Sequence, residues 1–342
     1  MKIVTCAGFG GSGSSAITDL LKEFNNIESL GDFEFTLAHE LDGLSDLEYY
    51  LVDNKHRLNC DMAIFRFKEL VNRIENGYNL YIKDFKKISY EYISKLTYLT
   101  WNGHWHNHEL RYAPFMRVIH YKIPTKIQII ANRFRKSNYE LVPYFKKEQI
   151  YFSSLSSDKF LDLTKDYTRK IVENLMEEKI EDIKILAMDQ LVAPNDITRY
   201  SRYYDNLKVI TIDRDPRDLY LLNKLYWKEG WIPSNNVHKF ILWYRKTRQV
   251  YDKSNQSNNS MYVQFEDLIY NYDEEMEKIY KFLNINEFEH IMKKKYFNPE
   301  KSIKNTKIWQ RKEAEIHLKD INLIERELNE FCYKYEKSYE GQ

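Results

Sequence analysis

The 342-residue sequence predicts an α/β fold in which helices cover both faces of a central parallel sheet. Two observations support this prediction. Short apolar runs alternate along the chain with amphipathic helical patterns, as expected for strands joined by crossover helices. A loop rich in glycine and serine also joins the first apolar run directly to the first helical pattern. Since no internal repeat or low-complexity linker interrupts this alternation, a single domain spanning residues 1–342 is expected.

The elements of the first half follow from apolar spacing. Residues 2–7 form a short, apolar and partly β-branched run that predicts a buried strand. Residues 14–24 predict a helix, because the apolar side chains recur at helical spacing. Further elements are predicted at 27–30 (strand) and at 45–54, 60–75 and 89–99 (helices). The Trp- and His-rich segment 101–126, with Pro114 and Pro124, is expected to be irregular.

The second half repeats the alternation of strands and helices. Helices are predicted at 158–180, 216–227, 236–253, 273–283 and 313–336, and strands at 184–188, 208–212 and 261–263. The weakly patterned middle, about 35–160, is interpreted as a mostly helical insertion that shapes an acceptor cleft.

Composition excludes several classes of protein. The 52 Lys and Arg residues balance 51 Asp and Glu residues, which argues against a nucleic-acid partner. Three scattered cysteines suggest neither a disulfide framework nor a metal site. No apolar run approaches the ~18 residues of a transmembrane segment, and the first strand leaves no room for a signal peptide. We therefore expect a cytoplasmic enzyme.

The glycine loop can bind phosphate, because its backbone N–H groups and the start of the following helix attract anions. It fits two known patterns. Gly8, Gly10 and Gly13 match the dinucleotide pattern G-x-G-x-x-G. Gly8, Gly13 and Ser15 match a P-loop in which Ser14 replaces the usual lysine.

Each pattern implies a different enzyme. A dinucleotide site, as in an NAD(P)-dependent oxidoreductase, needs an acidic residue about 20 positions further on, which Glu28 or Asp32 supplies. A kinase-like phosphotransferase needs the missing lysine and is disfavoured.

A second anion-binding signal lies at residues 208–218. This strand ends at Arg214, and Pro216 then starts a helix, where its missing N–H costs nothing. Ligands of open α/β sheets bind at the carboxyl ends of strands, and arginine grips phosphate there. The alternative is a surface ion-pair ladder with Asp215, Arg217 and Asp218.

Two later stretches complete the pattern. Residues 263–283 contain Phe265–Leu268 and end in Phe282 and Leu283. Residues 293–312 hold eight Lys or Arg and one acid, and include Ser302, Asn305 and Trp309. A basic loop with small polar residues and a tryptophan could hold a nucleotide phosphate, although a solvated basic surface would look the same.

In this order, these pieces resemble the sulfotransferases that use 3′-phosphoadenosine 5′-phosphosulfate (PAPS), in the style of bacterial enzymes of surface polysaccharides. The resemblance implies a P-loop-type three-layer fold, PAPS as co-substrate, no metal, and a carbohydrate hydroxyl as acceptor. It assigns cofactor binding to Gly10, Gly11, Ser12, Gly13, Ser14, Ser15, Arg214, Asn305 and Trp309.

The chain departs from the family at two positions. Gly11 stands where family loops often carry a cation, and Leu222 stands where a serine usually binds the 3′-phosphate. Asn223 is the suggested substitute for that serine. The resemblance also suggests a catalytic base about 20 residues past the loop, which points to Glu34, with His39 next.

Other polar residues were weighed as acceptor contacts. His104, His106 and His108 alternate and would share one side of a strand, so they could contact a sugar or, less favourably, bind zinc. The cations Arg111, Arg117 and Lys122 could meet an acidic glycan, and Asp189 and Gln190 follow a predicted strand. A further alternative is a protein related to these sulfotransferases that binds a sugar or a nucleotide but does not catalyse transfer.

Overall fold

The structure is a computed structural model that describes residues 1–104, 108, 111–135, 147–177, 183–249 and 258–335. The chain divides into two compact units. The first joins Met1–His39 to Glu178–Gln342, and the second is Glu40–Glu177.

The described residues form the following strands: β1 Lys2–Gly8, β2 Ile27–Glu34, β3 Leu99–Gly103, β4 Glu148–Phe152, β5 Ile185–Asp189, β6 Leu207–Asp213 and β7 Ser260–Gln264. The helices of the first 180 residues are α1 Ser14–Leu21, α2 Leu44–Glu48, α3 Arg57–Tyr78, α4 Phe85–Leu96, α5 Pro114–Arg117, α6 Ile123–Arg135 and α7 Ser157–Met176. Those that follow are α8 Ile197–Ser201, α9 Pro216–Leu221, α10 Val237–Gln249, α11 Asp267–Tyr270, α12 Tyr272–Leu283, α13 Pro299–Ser302 and α14 Leu318–Glu327.

The first unit contains a five-stranded parallel sheet in the order β2-β5-β1-β6-β7. Every residue of β5 is buried, as are the five central residues of β1. Because successive side chains of a strand point to opposite faces, both faces of the sheet must be covered. The predicted class, an α/β fold with a central parallel sheet flanked by helices, is confirmed.

The strand order bears on the two interpretations of the glycine loop. Here β1 lies between β5 and β6, and β2 stands at the edge of the sheet. In the dinucleotide fold the first strand lies beside the second, in the order 3-2-1-4-5-6. Glu28 and Asp32 therefore lie on a strand that β5 separates from the loop, which disfavours the oxidoreductase alternative.

The second unit holds the helices α2–α7 and an antiparallel pair, β3 and β4. In its core Tyr92 stacks on Tyr167 with ring centroids 4.4 Å apart, and Ser89 hydrogen-bonds the Tyr167 hydroxyl at 2.7 Å. The prediction that this part of the chain binds an acceptor stays a prediction.

The expectation of an irregular segment at 101–126 is wrong for residues 114–126. Residues 114–135 are helical throughout, through α5, a π-type turn at Val118–Lys122, and α6. Pro114 occupies the first helical position, where no N–H is needed. Pro124 follows the π-type turn, where the regular hydrogen-bond ladder is already interrupted.

The predicted tail helix 313–336 is too long. Its α-helical part is α14, flanked by 3₁₀ turns at Lys312–His317 and Asn329–Phe331. The chain then runs to Tyr333, whose N–H donates to Asp215 Oδ2 at 3.0 Å. A buried carboxylate therefore fixes the end of the tail, and periodicity does not reveal such a contact.

Candidate active site

The glycine loop after β1 has a backbone that other residues adopt only with strain. Gly10, Gly11 and Gly13 have φ values of 82°, 67° and 108°. A Cβ on Gly10 would lie 2.3 Å from the ring of Trp231, and one on Gly13 would lie 2.8 Å from the ring of Phe265. Aromatic side chains thus pack directly against the loop backbone.

Side chains beside the loop hold its shape. The buried Ser12 Oγ accepts a hydrogen bond from the Phe9 N–H at 3.1 Å, and Gln190 Oε1 accepts one from the Gly8 N–H at 3.4 Å. The next residues, Ser14 and Ser15, start α1, whose first turn carries no acidic residue. The positive end of this helix is available to an anion.

A cavity of about 370 Å³ opens beside the loop. It is lined by Gly11, Gly13, Ser14, Ser15, Ala16, Asp19, Arg214, Trp227, Phe265, Tyr296, Phe297, Ser302 and Asn305. The four stretches singled out in the sequence therefore meet around one cavity within the first unit.

Arg214 follows the last residue of β6 and is 4% exposed. Its Nη1 donates to the carbonyl oxygen of Gly11 at 3.2 Å, and its guanidinium carbon lies 3.9 Å from the ring centroid of Phe265. Its Nε is buried and has no hydrogen-bond partner among the described residues. Burial lowers the pKa of this guanidinium, against the opposing charges of Glu266 and Asp218.

Arg217 and Arg248 are as deeply buried as Arg214, but each of them pairs with a carboxylate. Arg217 Nη2 lies 2.6 Å from Asp215 Oδ2, and Arg248 Nη2 lies 2.8 Å from Asp213 Oδ1. Arg217 is therefore ion-paired, as the alternative predicts, but the pair is buried and not on the surface. In the described part of the chain no carboxylate forms a salt bridge with Arg214.

Two acids behind Arg214 hold protons unusually tightly. Burial, followed by the charge of Asp215, raises the pKa of Glu266 to about 8 and that of Asp218 to about 7. Glu266 is thus largely protonated at neutral pH, and its Oε2 has no partner among the described residues. These acids leave much of the charge on Arg214 uncompensated.

The basic segment 293–312 is held against the site by buried carboxylates. Glu23 is fully buried and accepts hydrogen bonds from the backbone N–H groups of Lys294, Tyr296 and Phe297. Asp218 accepts from those of Lys307 and Ile308. Neither anchoring role is visible in the sequence, because an acid inside a helical pattern reads as surface.

Of the three binding residues predicted in this segment, two line the cavity and one does not. Ser302 and Asn305 line the cavity, and their binding roles stay predictions. Trp309 does not line it. Its ring lies 4.2 Å from the Arg217 guanidinium carbon, and its buried Nε1 has no partner within the described ranges.

The suggested phosphate contact of Asn223 is corrected. Asn223 is buried and does not line the cavity. Its Nδ2 donates to the carbonyl oxygens of Glu229 and Ile232 and to Ser234 Oγ, and its Oδ1 accepts from the Glu229 N–H. The amide is thus fully used in fixing the loop that carries Trp231.

The candidate bases lie on the β2 side of the sheet. Glu34 ends β2, is exposed, and pairs in register with Asp189. His39 Nε2 lies 2.9 Å from the carbonyl oxygen of Gln190. A carbonyl only accepts, so Nε2 carries the proton, and the lone pair of the neutral ring lies on Nδ1. Glu34 and His39 both stay candidates for the base.

Asp189, which the sequence suggests as an acceptor contact, lies at the end of β5. It is 1% exposed, and its Oδ1 has no partner in the described part of the chain. Burial first, and then the charge of Glu34, raise its pKa to about 7, while the Ser14 hydroxyl lowers it. Perturbed carboxyl groups of this kind occur often at functional sites. The only sequence signal is an acid at a strand end.

Two of the predicted acceptor contacts in the second unit, His108 and Arg111, pair with acids of that unit. His108 Nε2 lies 2.8 Å from Asp61 Oδ2, and Arg111 contacts Asp61 and Glu148 at 3.1 and 2.9 Å. A paired and buried Arg111 is unavailable to an acidic glycan, which corrects that expectation. His106 lies outside the described residues.

The described residues contain no group of three or more His, Cys, Asp or Glu side chains able to hold a metal ion. No helix among them is both long and apolar enough to cross a membrane.

Comparisons with known proteins give one kind of match. No protein-family model matches the chain, and no curated protein does. Among solved structures, the chain is similar to the sulfotransferase domain of the olefin synthase from Synechococcus PCC 7002. That match has a TM-score of 0.39 and 12% identity, and it covers 98% of this chain and 95% of the other.

Proposed function

We propose that this protein is a sulfotransferase that moves a sulfuryl group from PAPS to a hydroxyl of a carbohydrate, in the cytoplasm. The observation that supports it most is Arg214. A guanidinium that is almost fully buried without a carboxylate partner costs several kcal/mol. An anionic ligand in the adjoining cavity would offset that cost.

The loop supports the same proposal from the other side of the cavity. Its backbone approaches a ligand closely, and α1 adds its positive end. An unpaired arginine facing such a loop suits a ligand with two anionic groups, as in PAPS. Asp19 is the only acid among the residues lining the cavity in the described part of the chain.

The proposed mechanism relies on positioning and charge. The loop and Arg214 would hold the phosphosulfate, and Glu34 would take the proton of the attacking hydroxyl. The bond between the sulfur and the bridging oxygen of PAPS breaks as the bond from the sulfur to the acceptor oxygen forms, and PAP leaves. Stabilising the charge that spreads over the transferred group supplies most of the catalysis in related phosphoryl chemistry.

Further features are compatible with this assignment. The three cysteines are free, which fits a reducing compartment. Ser14 in place of the P-loop lysine removes the cation that a kinase uses on its transferred phosphate.

Ligand-induced stabilisation tests the class of enzyme. The protein is heated with PAP, ATP or NAD at equal concentrations, and the unfolding midpoint is recorded. We expect PAP to raise the midpoint most, since a ligand that binds only the folded state stabilises it. A response to NAD and none to PAP would overturn the proposal.

A transfer assay tests the reaction. PAPS carrying radioactive sulfate is incubated with a panel of neutral and acidic oligosaccharides. Label on an oligosaccharide supports the carbohydrate assignment, whereas label only on other hydroxyl compounds overturns the acceptor class. PAP binding with no transfer to any hydroxyl would favour a binding protein.

A further inference from the structure

The helical segment 114–135 of the second unit exposes an apolar face. It comprises α5, the π-type turn and α6. Large apolar side chains recur along it at spacings of four, four, three and four residues, which places them in one stripe. Each member of this stripe is between 43% and 86% exposed: Ile119, Ile123, Ile127, Ile130 and Phe134. A surface helix of a globular protein normally turns such a stripe toward the core.

The other side of the same helical segment packs on the protein and is more polar. Tyr121 and Pro124 are buried, and the Tyr121 ring centroid lies 4.9 Å from that of His104. Gln128 and Asn132 are half-buried, and Gln128 Nε2 donates to Asn132 Oδ1 at 2.8 Å. The segment is thus held to its unit by this side, and the exposed apolar stripe marks an interaction surface.

Charge indicates which kind of partner this surface fits. Residues 112–135 contain no Asp or Glu and five cationic side chains: Arg117, Lys122, Lys126, Arg133 and Arg135. In the described part of the chain none of the five forms a salt bridge, whereas Arg111 just before them pairs with Asp61 and Glu148. The partner should therefore supply negative charge as well as apolar surface.

Three of the cations border the stripe directly. Lys122, Lys126 and Arg133 each follow a stripe residue by three positions, and side chains three apart are neighbours on a helix surface. An apolar stripe bordered by Lys and Arg is typical of helices that lie in the interface between a membrane and water. The apolar side chains enter the lipid there, while the long cationic side chains reach the anionic headgroups.

A second copy of the chain is a poorer partner for this surface. A symmetric dimer brings the same patch of both copies together. Since residues 112–135 carry only positive charge, such a contact would place cations opposite cations. An anionic lipid surface meets both the apolar stripe and the charge.

We propose that segment 114–135 binds the surface of an anionic lipid membrane and lies parallel to it, with the apolar stripe among the headgroups. With 13 residues, α6 is shorter than the ~20 that a spanning helix needs, so the segment would lie on the membrane. The segment belongs entirely to the second unit, so its binding does not depend on which ligand the cavity of the first unit takes.

Sedimentation with lipid vesicles tests the inference. The full-length protein is mixed with vesicles of phosphatidylcholine, either alone or with one quarter phosphatidylglycerol, and centrifuged. We expect it to sediment with the anionic vesicles and much less with the neutral ones. Raising NaCl from about 0.1 to 1 M shortens the Debye length from about 10 to about 3 Å and should weaken this binding at least about tenfold. No binding to anionic vesicles at low salt would overturn the inference.

A double variant tests the apolar stripe. Ile127→Asn combined with Ile130→Asn changes two exposed side chains and should weaken binding to anionic vesicles at least about tenfold. The matched control combines Leu41→Asn with Leu80→Asn, which lie outside the segment and are 66% and 78% exposed. The control should bind like the wild type. Equal vesicle binding by all three proteins would contradict the proposed role of the stripe.

A second double variant tests the charge. Lys122→Gln combined with Lys126→Gln should weaken binding to anionic vesicles about fivefold for each cation removed. Binding to neutral vesicles should not change, because no headgroup charge is then lost as a partner. An unchanged preference for anionic vesicles would show that these cations do not contact lipid.

Other occupants of the stripe give different results. If a second copy covers it, analytical ultracentrifugation of the wild type shows a dimer that Ile127→Asn with Ile130→Asn dissociates, and vesicles are not bound. If the chain itself covers it, the wild type is a monomer that binds no vesicles. Either outcome would overturn the inference and leave the proposal for PAP untouched.

Discussion

The Arg214 Nη1 donates a hydrogen bond to the carbonyl oxygen of Gly11 at 3.2 Å. This contact joins the end of β6 to the glycine loop after β1, across two neighbouring strands. It brings a cation to the loop position where the sequence itself lacks one. Under the proposed function, this arginine would contact the phosphosulfate that the loop holds.

Removing the unpaired arginine should not weaken the free protein. We expect Arg214→Met to leave the free energy of unfolding unchanged or to raise it by about 1–2 kcal/mol, because a buried charge without a carboxylate partner is replaced by an apolar side chain. Denaturant unfolding measures this change.

The matched control is Arg217→Met. It removes a guanidinium that pairs with the fully buried Asp215, so it should cost about 3–5 kcal/mol. Equal destabilisation by both variants would show that Arg214 is as well satisfied in the free protein as Arg217.

The loop glycines should be intolerant of a side chain. Gly13→Ala places a Cβ 2.8 Å from the Phe265 ring on a backbone with φ of 108°. We expect destabilisation of about 1–3 kcal/mol and loss of PAP binding. Gly230→Ala is the control, since its Cβ would meet no atom within 4 Å. Unfolding curves that shift equally for both would rule out the tight packing described for Gly13.

Asn223 should matter for stability rather than for ligand charge. Asn223→Ala leaves the Glu229 N–H and several carbonyl groups without their partner, so we expect a loss of about 1–3 kcal/mol. Its PAP dissociation constant should change by less than about tenfold, as measured by calorimetry on the folded variant. A larger loss of affinity with normal stability would restore Asn223 as a phosphate ligand.

Much of the sheet was accessible from the sequence, because β1, β5 and β6 are buried on both faces and read as continuous apolar runs. The meeting of the loop and Arg214 also followed from the rule that strand ends converge at one edge. Asn305 lies in a turn far from any strand end, and only the family resemblance pointed to it. The antiparallel pair β3–β4 was missed, since its residues are mostly exposed and show no apolar pattern.

Burial of charge was the main obstacle in the site. Glu23 and Asp218 lie in helical or charged stretches that look solvated, yet each anchors the basic segment by accepting backbone N–H groups. The sequence also does not show that Arg217 is paired with a carboxylate while Arg214 is not. Only the contact between Arg217 and Asp215 in the folded protein distinguishes the two arginines.

Buried carboxyls should make the free protein more stable in mild acid than in mild base. The pKa of Asp189 is raised to about 7, so from pH 4 to 7 the unfolded chain loses a proton that the folded protein keeps. The free energy of unfolding therefore falls as pH rises through this window. Asp189→Asn should flatten the slope and raise stability at pH 8 by about 1–3 kcal/mol. An unchanged slope would show that Asp189 titrates normally.

The proposed base should affect turnover and leave donor binding intact. Glu34→Gln keeps the shape of the side chain but cannot take a proton, so we expect transfer to slow about 10²–10⁴-fold. The exposed position of Glu34 predicts a normal fold and an unchanged PAP dissociation constant. His39→Gln, which keeps a donor for the Gln190 carbonyl, should retain most activity. The reverse ranking would make His39 the base.

Titration of PAP into the wild type and Arg214→Met, followed by calorimetry, tests the central claim most directly. Arg326→Met, whose side chain is 72% exposed, serves as the control. The account predicts one saturable PAP site in the wild type and the control, and at least about a hundredfold weaker binding in Arg214→Met, as expected for losing a charged bond to an anion. Equal PAP affinity in all three proteins would contradict it.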